Sequence, residues 1–142
     1  MFDRVITLYN FRKSNKTWYG TVISGCTLVA TESSADSSRG TGSTSNVNIH
    51  VHCTINKKLR TANKTFVSPK EYQTLDSVDG SFTFTPEKDF MIVGKEMTDL
   101  VVNDEDFENG FYSFINHTVD DVYMVTNATW YSLLPHFVVG GR

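Results

Sequence analysis

Val47-Asn48-Ile49-His50-Val51-His52-Cys53-Thr54-Ile55 alternates apolar and polar residues without a break. In an extended chain successive side chains point to opposite faces. Val47, Ile49, Val51, Cys53 and Ile55 are therefore expected on one buried face, with His50 and His52 on the wet one. A strand that is half buried and half wet belongs to an antiparallel sheet. Immediately before it lies the polar run Thr31–Asn46, TESSADSSRGTGSTSN. With no large apolar residue it buries too little surface to offset the entropy of ordering it, so mobility is expected. Loops this long inside compact domains are usually functional or disordered.

More strands follow the same logic. Arg4–Asn10 alternates, Phe11–Thr17 reads as a polar hairpin loop, and Trp18–Ile23 resumes strand character. Ser24-Gly25 predicts a break or bulge before Cys26–Ala30. Lys57–Thr65 is basic and polar. Ser68, Pro69 and Glu71 then form a capping-box start for a short helix over about Pro69–Leu75, with Tyr72 and Leu75 inward. Ser81–Thr85, Phe90–Gly94, Val122–Thr126 and Phe137–Val139 are further strands, the last two joined through Trp130 and a turn at Pro135. A second helix is expected over Asp104–His117, capped by Asn103 or Asp104. Its stripe Phe107, Phe111, Phe114 and Ile115 is expected to pack into the core. The expected fold is mainly β: a small antiparallel β-barrel or sandwich with two short helices and a long polar loop at 31–46. By length, 1–142 is expected to form a single domain.

A formal charge of −3 and a pI near 5.7 argue against a protein that grips nucleic acid through its backbone charge. The first residues, MFDRVITLYNFRK, lack the apolar core of a signal peptide, and no stretch approaches a membrane span, so a cytosolic origin is expected. Cys26 and Cys53 stand in apolar strand-like runs and are expected as buried free thiols. Four Asn-x-Thr sequons, at Asn15, Asn63, Asn116 and Asn127, are read as products of an Asn/Thr-rich composition.

Candidate chemistry is sparse. In a strand His50 and His52 point one way and Cys53 the other, so the three do not share a ligand sphere, although His117 or His136 would be on hand to join the histidines. The acids at Asp104, Glu105, Asp106 and Glu108 suit a helix N-terminus. No nucleophile elbow or phosphate-cradling loop is present, and no catalytic residue, metal or cofactor is expected. Lys57, Lys58 and Arg60, with Lys64, form a basic patch that reads as a solvated hairpin tip or a phosphate contact.

The order of DRVITLYN (3–10), WYGTVISGC (18–26), ADSS (35–38), FVSPKEY (66–72), KDFMIVGK (88–95), VYMVT (122–126) and LLPHFVVGGR (133–142) resembles the head-completion proteins of tailed bacteriophages. These are the stopper, head-closure or minor capsid components of the head–tail connector. The resemblance implies a non-enzymatic subunit of a ring, commonly sixfold, in the virion neck between the portal or adaptor and a tail terminator or tail-tube protein. Such a ring touches packaged DNA transiently and without sequence preference, and involves no membrane. In the stopper type a long loop reaches into the channel. Ser34, Asp36, Ser38, Arg39, Gly40, Gly42 and Ser45 occupy the matching place, with Asp36 and Arg39 able to pair between copies. Lys57, Lys58, Arg60 and His136 are the candidate assembly residues. Another neck protein, such as a tail terminator, or a small ligand-binding barrel using the loop as a lid are the alternatives.

Overall fold

In the computed structural model, which describes residues 3–31 and 46–142, the strand at Val47 is one stave of a closed antiparallel barrel. Its elements are β1 (Arg4–Arg12), β2 (Thr17–Thr31), β3 (Asn46–His52), β4 (Thr65–Phe66), α1 (Pro69–Tyr72), β5 (Ser81–Phe82), β6 (Phe90–Val93) and β7 (Val101–Asn103). A 3₁₀ turn (Asp104–Asp106), α2 (Phe111–Thr118), β8 (Val122–Tyr131) and β9 (His136–Gly141) complete them. Strands run in the order β1-β6-β8-β9-β3-β2, and β2 pairs back onto β1, so six strands close the wall. Closure removes the unpaired edges that an open sheet would expose. β7 adds to β2 alone, through Thr17, Trp18 and Tyr19.

The barrel is filled, not hollow. Ile6 and Leu8 of β1, Ile49 and Val51 of β3, Met91 of β6 and Val139 of β9 interdigitate inside it, all fully buried. The Phe82–Phe84 segment closes the interior at the Phe137 end: the Phe137 ring lies 4.6 Å from Phe66, 5.3 Å from Phe84 and 4.8 Å from Trp130. A second apolar layer lies on the other face of β1, β2 and β6, where Tyr9, Trp18, Phe90 and Ile92 pack beneath Phe111 and Ile115 of α2. This double cover explains why β1 and β6 are buried on consecutive residues where a half-wet strand would alternate.

Several local expectations hold. Between β1 and β2 the register shifts from Ile6↔Ile23 to Arg4↔Cys26, leaving one extra residue on β2. Gly25 supplies the φ of 72° there, which only glycine adopts without strain. The Ser68 side chain accepts from Glu71 N at 3.2 Å, and Tyr72 faces inward. Cys26 and Cys53 are buried free thiols.

Others are corrected. β1 continues through Phe11 and Arg12 because Phe11 is needed in the second apolar layer, so the turn shrinks to 13–16. The first helix stops at Tyr72, where the Gln73 side chain turns aside to donate to Phe11 O. Ser81–Thr85 pairs only over Ser81–Phe82, and in parallel with β4. Ile55 is 64% exposed, because the strand ends at His52 and a turn begins at Thr54.

The expected Asp104–His117 helix is split. Gly110 takes φ 89° and becomes the N-cap of α2, while Asn103 caps the 3₁₀ turn by accepting from Glu105 N. Asp104 bridges the break: its Oδ1 accepts from Trp18 Nε1 and from Phe111 N, both at 2.8 Å. Phe111 and Ile115 are core, but Phe114 is 47% exposed. Asp104→Ala would leave a buried indole N–H and a helix-end N–H without their acceptor. An unfolding cost of about 2–3 kcal/mol is expected in chemical denaturation. The α2 amides should lose hydrogen-exchange protection first, and Asp104→Asn should recover most of the loss.

The expected channel-loop residues Ser34, Asp36, Ser38, Arg39, Gly40, Gly42 and Ser45 lie outside the described residues. The connection that holds them joins Thr31 of β2 to Asn46 of β3, which are register partners.

Candidate assembly surface around the β8–β9 turn

Three of the four candidate assembly residues come from one turn. After β3, Cys53 stays buried and bridges to Leu59, while Thr54 N donates to Lys58 O and Lys57 N to Thr54 O. Lys57 takes φ 65° in this tight reversal, which pushes Ile55 into solvent. The Lys57 ammonium then lies 5.4 Å from the Trp130 ring centre and 5.7 Å from that of Phe66, a cation–π position. Lys58 and Arg60 are exposed. Lys64, read with them as a basic patch, turns away: its Nζ donates to Thr21 Oγ1 at 2.7 Å, and burial lowers its pKa. It seals the edge of β2, so it is not part of the outward patch.

His136 reaches the same region from β9. It is in register with His52 of β3 and with Tyr131 of β8. Its Nδ1–H donates to Leu134 O at 2.6 Å, fixing the ring against the β8–β9 turn. The His136 ring stacks on His50 at 5.3 Å and 9° and on Tyr131 at 5.3 Å and 17°, with His52 at 6.0 Å. Burial, followed by the charge of His136, pushes the His50 pKa down. His52 is lowered by the same two causes and by His50 and Arg60. Stacked, nearly parallel imidazoles direct their in-plane lone pairs side by side and not to one point. Cys53 lies inside the barrel, and among the described residues no group of three His, Cys, Asp or Glu side chains is placed to hold a metal ion.

Beside these residues an open cleft of about 470 Å³ is lined by Ser24, Gly25, His52, Arg60, Thr61, Leu134 and Pro135. Its lip is apolar to an unusual degree for a turn: Leu133 is 85% and Leu134 80% exposed. The sequence reading found the cations but missed the leucines, Ile55 and the cleft. The available signal was Leu133-Leu134 directly before Pro135, where turn chemistry favours small polar residues. The structure thus joins Arg60 and His136 through His52, places Lys58 on the same turn as Arg60, and uses Lys57 in part to cover aromatic rings.

No helix among the described residues is long and apolar enough to cross a membrane. No curated protein and no solved structure matches the chain. A profile described as a family of unknown function (DUF6751) matches residues 1–142, the whole of the given sequence. The chain therefore belongs to the DUF6751 family.

Proposed function

We propose that this chain is a structural subunit of the tailed-bacteriophage neck, a stopper or head-closure ring protein that lines or gates the DNA channel. The observation that carries the reading is a closed, side-chain-filled barrel whose β2–β3 connection is the long Ser/Gly/Thr-rich segment. A filled barrel conducts nothing through itself, so a channel must lie between copies, and a polar appendage is what a channel-facing loop requires. Small hydroxyl residues and glycines pack round an axis with little to lose on release. Their scarcity of charge gives DNA little to stick to. The order of sequence motifs supplies the remaining support. In this reading the ring is a hexamer bound to the portal or adaptor on one side and to a tail terminator or tail-tube protein on the other, within the virion.

Deleting Ser34–Ser45 is expected to leave the barrel folded, with an unchanged strand signature in circular dichroism. Tail-less heads carrying that chain should lose packaged DNA to nuclease. Heads that keep their DNA would overturn the gating role and leave the connector role standing.

The cleft at Arg60 and His52 favours a second reading, a monomeric module that binds a small amphipathic anion, since it pairs an apolar wall with a guanidinium. A chain that sediments as a monomer and gains thermal stability from such an anion would select it.

A further inference from the structure

Leu134 is doubly disfavoured where it stands. It is 80% exposed, and it occupies the left-handed region at φ 54°, which strains a branched side chain. Leu133 beside it is also exposed, and Arg60 lines the same cleft as Leu134; the turn that carries Arg60 also exposes Ile55 and Lys58. Backbone strain combined with wasted apolar surface marks a residue kept for a contact.

A second surface has the opposite character. Val101, on the edge strand β7, is 69% exposed, and the Phe114 ring lies 4.9 Å from that of Phe107. Two grooves of about 290 and 300 Å³ flank this aromatic pair. Asp99 and Asp106 line the first and Glu108 the second, all three exposed. On this side the cation Lys16 is paired with Glu105 at 3.3 Å, and His117 donates to Ser113 O at 2.8 Å. The surface is thus an acidic rim around an apolar notch.

We infer that these two surfaces dock onto each other between copies of this chain, with Leu133 and Leu134 of one copy entering the Phe107/Phe114 grooves of the next. Lys58 and Arg60 then face Asp106 and Glu108. The surfaces share no residue, so the contact is heterologous and propagates head to tail, closing a ring or extending a filament. Opposite charge sets the pairing and opposes a two-fold contact of either surface with itself. The inference rests on the ring reading above for its occupant and adds which faces meet.

The test uses the full chain. Leu134→Cys and Phe114→Cys variants are made separately, mixed, and treated with a short bifunctional thiol reagent. Cross-links are expected between the two variants and not within either alone. Lys58→Glu with Arg60→Glu should weaken association at least tenfold in sedimentation, and Asp106→Lys with Glu108→Lys in the mixed partner should restore it. Leu134→Asn, which relieves the strained φ, should raise the unfolding midpoint of the monomer while weakening association. An oligomer that cross-links only within one variant, or ignores the charge reversals, overturns this pairing and leaves the ring intact. A wild-type chain that stays monomeric up to about 1 mM overturns the ring and the pairing together.

Discussion

Replacing Asp89 with alanine is expected to cost on the order of 4–6 kcal/mol, a large fraction of the roughly 5–15 kcal/mol by which an ordinary domain is stable. Asp89 is fully buried, and its carboxyl ties three segments together. Oδ2 accepts from Asn10 Nδ2 and from Thr85 N, both at 2.8 Å, and Oδ1 accepts from Phe11 N at 3.1 Å. Asn10 in turn donates to Thr83 O at 2.6 Å and accepts from Thr83 N at 3.3 Å. Alanine strands three buried donors, each worth about 1–3 kcal/mol. The urea midpoint reads the loss, and Asp89→Asn, which keeps one acceptor, should lose less. An Asp89→Ala chain within about 1 kcal/mol of the parent would mean that this network contributes little.

The same group gives the pH dependence a direction. Burial pushes the Asp89 carboxyl up to about 7, against the pull of the Thr85, Phe11 and Asn10 donors. Unfolded, it titrates near its ordinary value of about 3.9. The folded state therefore holds its proton more tightly across the interval between. The contribution to stability is complete below about pH 4 and is lost as pH rises through about 7, at close to 1.4 kcal/mol per pH unit at most. Subtracting the profile of Asp89→Asn from that of the parent isolates this slope. A flat difference would show that the three donors balance the burial, and a difference that rises with pH would show that they outweigh it.

Phe137→Ala is the second large loss, expected at about 3–5 kcal/mol. Phe137 is buried where the barrel wall meets its end closure, with Phe66, Phe82, Phe84 and Trp130 around it. Four rings converging on one site form an enclosure that does not collapse when its centre is removed, so the void persists. The effect should be graded: Phe137→Leu should cost markedly less than Phe137→Ala in the same denaturation series. Because the Phe66 and Trp130 rings also carry Lys57, the alanine variant should loosen the 54–60 turn in hydrogen exchange before the barrel opens.

The barrel staves were legible in the sequence wherever one face of a strand meets water. Val47, Ile49 and Val51 alternate with Asn48, His50 and His52, and the structure buries them in that order. The pattern misled where its ending was not marked. Nothing between Cys53 and Ile55 breaks the alternation, yet the backbone turns at Thr54, because Cys53 is already committed to Leu59. At Asp104–His117 the spacing was helical, but the acceptor Asp104 is required by Trp18, and Gly110 lets the chain reverse around it. The candidate surface was legible only in its charges. Its other members, Ser24, His52, Thr61 and Leu134, come from four separate parts of the chain, and only barrel closure sets them side by side. A residue such as Leu134 looks like core in sequence, and its exposure depends on a turn whose strain no pattern announces.

The two native thiols make the molecule its own clean background for chemical labelling. Burial pushes the Cys26 thiol up to about 12 and the Cys53 thiol up to about 11. At neutral pH roughly one thiol in ten thousand or fewer is ionised, and both sit inside the barrel wall. An alkylating fluorophore added to the folded chain should leave them unmodified, while a cysteine placed on the surface reacts. Their late modification then reports something else: the opening of the barrel itself.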